Sequence, residues 1–357
     1  MKDWFHFEGE AQLITPALLF YSERIDRNIA KMIKMAGAVD RLRPHVKTYK
    51  CKALVKRQMN AGIQRFKCAT LAEAAMLLEM GVSDVLLAYP LVGPAQTAFR
   101  KLVQRFSGQL SVLVDHADQL LAWQEFPDVP IHCFIDLNVG MNRTGVRPEQ
   151  ADELLSLLTG NLIFRGWHVY DGHIHTADLQ ERKKEVDTAF RPVQDLLDRV
   201  GASYGGELVC GGSITFPIHT AYPERSLSPG TTVLWDNGYG SQFPDLDFAI
   251  AACLATRVVS KPGTDLLCLN LGYKAVAAEM SETPVYFPQL PEAKIINHSE
   301  EHLVLQTNEA KDYPIGSLMY TLPWHICPTV ALHESAWLIE EDRIKDKLVI
   351  EARTRFY

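Results

Sequence analysis

Long apolar runs are missing from this chain of 357 residues, although 47% of its residues are hydrophobic. No run reaches the roughly 20 apolar residues that a membrane-spanning helix needs. The opening segment, residues 1–6, also lacks the apolar core and small-residue cleavage site of a secretory signal peptide. We therefore expect a cytoplasmic protein that neither spans nor enters a membrane.

Excess positive charge and paired cysteines are missing too. The 36 Lys and Arg residues are outnumbered by 43 Asp and Glu residues, and the net charge of −7 argues against a nucleic-acid or membrane-surface partner. The seven cysteines include no CxxC pair, and their odd number disfavours a complete disulfide framework. We expect most of them to be small buried hydrophobic residues, with Cys327 as an exception.

A GxGxxG segment after an early strand, the glycine pattern of a dinucleotide-binding sheet, is also absent. Instead, short apolar runs alternate with helical periodicity from about residue 16 to residue 240. The segment 64–69 is typical of a strand, and Thr70-Leu71-Ala72-Glu73 is a capping box that opens the next helix. Repeated strand–helix units imply parallel strands, and about eight of them favour a TIM-type (β/α)8 barrel over an open sheet.

The predicted chain is therefore an α/β protein with a barrel over residues 15–245 and a β-rich domain over residues 246–357. Residues 1–14 are expected to pack on the second domain, where prolines separate short apolar segments. The other candidate strands of the barrel region are 16–20, 84–89, 110–114, 131–137, 163–170, 208–210 and 232–235. Those of the second domain are 255–259, 266–270, 294–296, 303–306 and 347–350.

Chemically useful side chains follow several of these strands. Lys47 lies in RPHVKT, where a strand is expected to end, and Arg143 and Tyr170 follow two later strands. The glycines of Gly211-Gly212-Ser213 would let backbone N–H groups approach an anion, although an ordinary turn uses the same residues. Since barrels gather chemistry at the carboxyl ends of their strands, this set fits pyridoxal phosphate, with a lysine for its aldehyde.

These segments resemble the D-threonine aldolase and D-serine dehydratase family of fold-type III, alanine racemase-like, pyridoxal-phosphate enzymes. The similarity covers nearly the whole chain and includes RPHVKTYK, GMNRTG, YDGH, GGS and PGT. It implies a pyridoxal-phosphate barrel, similar to the alanine racemase N-terminal domain, and a C-terminal β domain. Tyr49 replaces the histidine that is usual in the lysine segment, and we assign it no role.

The resemblance also implies which residues hold the cofactor. Lys47 would bind its aldehyde, and Arg143 and Tyr170 would contact its ring. The phosphate-binding turns would be formed by Gly211, Gly212, Ser213, Gly230 and Thr231.

A His-x-Cys pair, His325 and Cys327, is the most specific feature of the second domain. Spacing alone fits a buried cysteine beside a surface histidine better than a metal site. The family resemblance reverses that preference and implies that the pair holds a divalent metal, zinc or manganese. Aldolases of the family tend to have aspartate at the second position, so Cys327 resembles the dehydratase-type members.

The function that follows is a metal-assisted lyase acting on a small-molecule D-3-hydroxy amino acid. Retro-aldol cleavage and β-elimination both remain open, with Lys47 as the base at Cα and His173 or His175 as the base for the β-hydroxyl, or the group that orients it. A pyridoxal-phosphate amino-acid racemase and a non-catalytic pyridoxal-phosphate-binding protein are the alternatives. The resemblance further implies a homodimer.

Overall fold

The computed structural model describes residues 3–106 and 110–355. The chain divides into two compact units. The first, which we call the sheet unit, consists of the segment up to Lys31, Thr48–Leu54 and Thr231–Arg353. The second, the barrel unit, consists mainly of Met32–Lys47 and Val55–Gly230.

Strands and helices are numbered along the chain. The strands are β1 (Ala17–Tyr21), β2 (Arg65–Cys68), β3 (Asp84–Pro90), β4 (Leu110–Val114), β5 (Ile131–Leu137), β6 (Leu162–Val169), β7 (Glu207–Cys210), β8 (Arg225–Leu227), β9 (Ala252–Gly263), β10 (Leu266–Leu269), β11 (Val285–Tyr286), β12 (Lys294–His298), β13 (Leu303–Gln306), β14 (Leu318–Pro323), β15 (Ser335–Glu340) and β16 (Arg343–Val349). The α-helices are α1 (Ser22–Ala36), α2 (Lys52–Asn60), α3 (Leu71–Glu79), α4 (Pro94–Arg105), α5 (Ala117–Gln124), α6 (Ala151–Ser156), α7 (Leu179–Val200), α8 (Phe216–His219), α9 (Asn237–Gln242) and α10 (Ile326–Leu332).

The barrel unit is built on parallel strands β2 to β8, each paired with the next in chain order. The segment 42–45 lies between the two edges of this sheet, because Leu42 bridges Leu227 of β8 and His45 bridges Lys67 of β2, both in parallel. Backbone hydrogen bonds of 2.8 Å, from Arg43 N to Leu227 O and from Lys67 N to Pro44 O, secure it. The predicted barrel is confirmed, and its eighth strand is reduced to this closing segment.

Apolar side chains from four strands fill the barrel interior. Leu86 of β3, Leu113 of β4, Phe134 of β5 and Val209 of β7 form one buried cluster. This cluster forms a packed apolar core inside the barrel.

The sheet unit contains a mostly antiparallel sheet with the order β12-β13-β10-β9-β1-β15-β16, to which β14 adds by pairing with β9 and β11. The predicted β-rich second domain is thereby confirmed. The interpretation of 16–20 as a barrel strand is wrong, because β1 pairs with β9 and β15 of this sheet. All five residues of β1 are buried, and a fully apolar run does not specify which sheet a strand joins.

A second predicted barrel strand, 232–235, is also wrong. Thr231–Val233 form a 3-10 turn instead. Its three residues are buried, and so short a buried run has no periodicity that separates strand from helix.

The amino-terminal segment contributes to the sheet unit's core. Phe5, Phe7 and Leu13 belong to one buried cluster with Tyr320 and Leu322 of β14. Across residues 3–106 and 110–355, no helix is both long and apolar enough to cross a membrane.

Candidate active site

Lys47 follows the closing segment of the barrel directly. Val46–Thr48 form a single 3-10 turn there, so Lys47 emerges at the carboxyl end of a barrel strand, as the sequence indicates. The side chain is half-buried, and its Nζ lies 5.7 Å from the centroid of the Tyr170 ring. Because Tyr170 directly follows β6, two of the predicted cofactor residues meet at the ends of two barrel strands.

Arg143 reaches the same ring. Its guanidinium carbon lies 5.1 Å from the Tyr170 centroid. The loop that carries it is fixed, because Asn138 Oδ1 accepts hydrogen bonds from Gly140 N at 3.0 Å and Asn142 N at 3.1 Å. Gly145 N also donates to Asp115 Oδ2 at 2.7 Å. The GMNRTG segment is therefore an anchored loop that presents its arginine to Tyr170.

Gly140 of this loop makes room for His173. Its φ is +126°, and a Cβ at this position would lie 2.6 Å from His173 Nε2. The His173 Nδ1 is buried and has no hydrogen-bond partner among the residues that the structure describes. His175 is exposed, and its Nδ1 donates to the carbonyl of His173 at 2.6 Å. Of the two predicted histidines, His173 is therefore the one packed against the arginine loop.

The Gly211-Gly212-Ser213 turn packs closely around Tyr170. A Cβ on Gly212 would lie 3.1 Å from Tyr170 Cε2, which is tighter than most contacts of a Cβ. Gly211 has a φ of +76°, which favours glycine. Ser213 Oγ accepts from Gly230 N at 3.1 Å, which brings the second predicted turn to the first. These compact, glycine-lined turns fit the cofactor's phosphate.

A buried network joins this turn to the tyrosine loop. Asp171 Oδ2 accepts from His219 Nε2 at 2.8 Å, and Asp171 Oδ1 accepts from Thr215 Oγ1 at 2.7 Å. Burial alone would raise the pKa of Asp171, but the hydrogen bonds from His219 and Thr215 lower it overall. Arg225 Nη1 donates to the other His219 nitrogen at 2.9 Å. Asp171 therefore stays ionised and ties the two loops together, a role that the sequence did not indicate.

Lys67 is a further polar residue that sequence reasoning missed. It lies on β2, is only 2% exposed, and places its Nζ 5.8 Å from the Tyr170 centroid. The one available signal was a lysine flanked by apolar Phe66 and Cys68 in a strand, which puts it on the face opposite to theirs.

In the sheet unit, His325 and Cys327 lie together at the start of α10. Cys327 Sγ lies 3.1 Å from Thr48 Oγ1 and 3.5 Å from Thr231 Oγ1. Thr231, predicted to bind the cofactor phosphate, thus contacts the thiol. His325 Nδ1 lies 2.5 Å from Glu279 Oε1.

The Cys327 thiol and the His325 imidazole each shift the pKa of the other toward its charged form. Burial raises the pKa of the Cys327 thiol, but its hydrogen bond with His325 and the charge of that imidazole lower it overall. Burial lowers the pKa of His325, while Cys327 and then Glu279 raise it to about 9. A thiolate and a histidine with a carboxylate on its other nitrogen are a donor set that suits a divalent metal. Within residues 3–106 and 110–355, no group of three or more His, Cys, Asp or Glu is arranged to hold a metal ion.

The fold and the lysine–tyrosine–arginine arrangement define an alanine racemase-like protein. The family model described as alanine racemase, N-terminal domain, matches residues 21–233, and the chain belongs to this family. A second model, a putative serine dehydratase domain, matches residues 251–339.

Curated relatives cover almost the whole chain. A D-threonine aldolase from Arthrobacter sp. is 26% identical over 96% of this chain and 93% of its own length. A 3-hydroxy-D-aspartate aldolase from Paracoccus denitrificans is 24% identical over 98% and 94%. The crystal structure of D-threonine aldolase from Filomicrobium marinum has a TM-score of 0.88 and 26% identity, with 96% of both chains covered. The predicted family resemblance and lyase class are confirmed, and the fold and these relatives support pyridoxal phosphate as cofactor.

Proposed function

We propose that this protein is a pyridoxal-phosphate-dependent, divalent-metal-assisted lyase acting on D-3-hydroxy amino acids. The observation that carries the proposal is the convergence of Lys47, Arg143 and the Gly211–Ser213 turn on the ring of Tyr170. The relatives named as D-threonine aldolase and 3-hydroxy-D-aspartate aldolase support the reaction class.

The cofactor would be held by residues on the barrel's strand ends. Lys47 would bind its aldehyde, Arg143 and Tyr170 would contact its ring, and the turns containing Gly212 and Gly230 would take its phosphate. When bound, the cofactor's pyridine ring accepts the electron pair that the broken bond leaves on Cα. Lys47, released when the substrate amine takes its place, would then move a proton at Cα.

His173 is our candidate for the base that removes the β-hydroxyl proton. Its Nδ1 is buried without a hydrogen-bond partner among the described residues, and its ring is held against Gly140. His175 Nδ1 is bound to a backbone carbonyl, and the side chain is exposed, which makes it the weaker candidate.

His325 and Cys327 would hold the divalent metal. Such a metal supplies Lewis acidity and lowers the pKa of a hydroxyl bound to it. Glu279 would keep the His325 ring oriented through its Nδ1, in the manner of carboxylates that support metal-binding histidines.

Product analysis with D-threonine and D-serine separates the two reactions. Glycine and acetaldehyde from D-threonine identify retro-aldol cleavage. 2-Oxobutyrate from D-threonine, or pyruvate from D-serine, with ammonia identifies elimination. Interconversion of alanine enantiomers without metal dependence would favour the racemase alternative, and cofactor binding without turnover would favour the non-catalytic one.

Replacing the proposed cofactor lysine tests the proposal directly. Lys47→Ala should remove the visible absorbance band of the lysine-linked cofactor and reduce turnover at least a thousand-fold, because no amine remains to carry the aldehyde. Absorbance spectra and product assays on purified protein measure both effects. Lys56→Ala, at an exposed position of α2, is the matched control and should behave as the unmodified protein. An unchanged band in Lys47→Ala would refute the assignment.

The metal assignment is tested separately. The double variant His325→Ala, Cys327→Ala should lose bound metal by elemental analysis and most turnover of 3-hydroxy amino acids. Its cofactor band should persist, because Lys47, Arg143 and Tyr170 are unchanged in this variant. Full turnover by this variant would contradict the role of the pair.

A further inference from the structure

Lys67 is a lysine in the interior of the barrel. Only 2% of its surface is exposed, and its neighbours on β2, Phe66 and Cys68, are fully buried. Lysine is rarely buried in this way, because removing an ammonium group from water is unfavourable without compensating partners. Its partners therefore show how the amine is held.

A chain of hydrogen bonds holds the Lys67 amine in place. His168 Nδ1 lies 2.7 Å from Asp136 Oδ1, and a carboxylate only accepts, so this nitrogen carries the proton. The opposite nitrogen, Nε2, then accepts from Lys67 Nζ at 3.3 Å. Thr144 Oγ1 donates to Asp136 Oδ2 at 2.8 Å and completes the chain. Both the neutral and the protonated amine can donate to His168, so the geometry accommodates either state.

Lys67 also shares a neighbour with the proposed cofactor lysine. Its Nζ lies 5.8 Å from the Tyr170 centroid, and the Nζ of Lys47 lies 5.7 Å from the same centroid. Two positively charged groups near one ring repel each other, most strongly where burial limits their contact with water. Positive charge near the ring therefore disfavours a proton on the buried Lys67 amine.

Burial and neighbouring charges bring the pKa of Lys67 close to neutral pH. Burial lowers its pKa most, the charge of Lys47 lowers it further, and the pKa falls to about 7. Burial and the charge of Lys67 also lower the pKa of His168, which keeps that imidazole neutral. The titratable and charged groups around Lys67 and its imidazole partner are Lys47, Asp136, Arg143, His168, Tyr170, Asp171 and Cys210.

We propose that Lys67 is a positioning residue of the cofactor site, whose buried amine, held by His168 and Asp136 beside the Tyr170 ring, places a titratable charge near the nitrogen that would link Lys47 to the cofactor. A charged Lys67 would disfavour a proton on that linking nitrogen, and a neutral Lys67 would not. Lys67 would thereby tune how readily a substrate amine displaces Lys47 from the cofactor. This inference deepens the proposed function and rests on it.

Spectroscopic titration of the cofactor-loaded protein tests the inference. The visible band of the Lys47-linked cofactor changes when the linking nitrogen loses its proton. Lys67→Arg keeps a permanent positive charge and should move the midpoint to lower pH, whereas Lys67→Met removes the charge and should move it to higher pH. The two variants should differ by about one pH unit. Lys101→Met, at an exposed position of α4, removes the same charge elsewhere and should leave the midpoint unchanged.

Titration by NMR keeps the test independent of the variants' folding and of the cofactor. In the unmodified chain with 13C at lysine Cε, one lysine should titrate near pH 7. If Lys67→Met folds, that signal should disappear from its spectrum.

The outcomes separate the two proposals. If the midpoint of the visible band is the same in Lys67→Arg, Lys67→Met and the unmodified protein, the proposed role of Lys67 is wrong. It is also wrong if every lysine titrates at its ordinary pH in the NMR experiment. Absence of any visible band in the unmodified protein refutes the proposed function instead.

Discussion

At the scale of single residues, two glycines of the candidate site allow close approaches by neighbouring side chains. Gly140 leaves space for the His173 ring, and Gly212 leaves space for Tyr170. Both glycines were visible in the sequence as parts of motifs, but the side chains that they accommodate lie on a neighbouring loop. The structure therefore explains these glycines by packing around the proposed catalytic groups.

Gly140→Ala should damage activity more than stability. The added Cβ would meet His173 Nε2 at 2.6 Å, so the ring must move. Gly160→Ala is the matched control. Gly160 also has a positive φ, +66°, but a Cβ added there would have no atom within 4 Å. Both variants should lose about 1 kcal/mol of unfolding free energy from backbone strain, whereas only Gly140→Ala should lose turnover, by at least ten-fold. Equal turnover in the two variants would argue against a role for His173.

At the scale of elements, the closing segment of the barrel is held by a buried ion network. Arg43 is fully buried and donates to Asp84 Oδ2 at 2.8 Å and to Glu207 Oε2 at 2.6 Å. Those carboxylates stand at the starts of β3 and β7, so one guanidinium joins the closing segment to two strands. Lys47 lies four positions further along the chain. The network therefore fixes the segment from which the cofactor lysine emerges.

Arg43→Met should destabilise the barrel unit strongly. It leaves the carboxylates of Asp84 and Glu207 largely buried without their main cation, a change that typically costs about 3–5 kcal/mol. Denaturant unfolding followed by circular dichroism measures the loss. Arg199→Met, which breaks the exposed pair with Asp152, is the control and should change little. Similar midpoints for the two variants would show that the buried network is dispensable.

The same network predicts an acid limit of stability. Burial raises the pKa values of Asp84 and Glu207, but Arg43 lowers both below their usual values overall. Carboxylates with lowered pKa stabilise the fold above their unfolded-state pKa of about 4, and that stabilisation disappears as the pH falls through the folded-state values. Unfolding free energy should therefore drop below about pH 4 in the unmodified protein and depend less on pH in Arg43→Met. Parallel pH profiles would contradict this.

At the scale of the whole molecule, the proposed residues fall in both compact units. Lys47, Arg143, Tyr170 and His173 belong to the barrel unit, and the His325–Cys327 pair belongs to the sheet unit. Family models match both parts of the chain, residues 21–233 and 251–339. The chain thus contains a region that matches each of the two family models.

A homodimer remains a prediction from the family resemblance. Sedimentation velocity on purified protein should show a single species of about twice the chain mass of 40.1 kDa. The measurement should be repeated over a dilution series. A specific dimer keeps its sedimentation coefficient until the protein concentration falls near its dissociation constant. A monomer at all concentrations would refute the prediction.

The sequence alone determined the barrel, the β-rich second part and the principal motifs, because alternating periodicity, capping signals and glycine turns are local. The capping box is an example: Thr70 Oγ1 accepts from Glu73 N at 3.2 Å, and Glu73 Oε2 accepts from Ala69 N at 2.7 Å. Only the tertiary structure decided that β1 joins the second sheet, that His168 and Asp136 hold the buried Lys67, and that Thr48 and Glu279 support the His–Cys pair. Those arrangements depend on burial and on contacts between residues distant in the chain, which local periodicity does not encode.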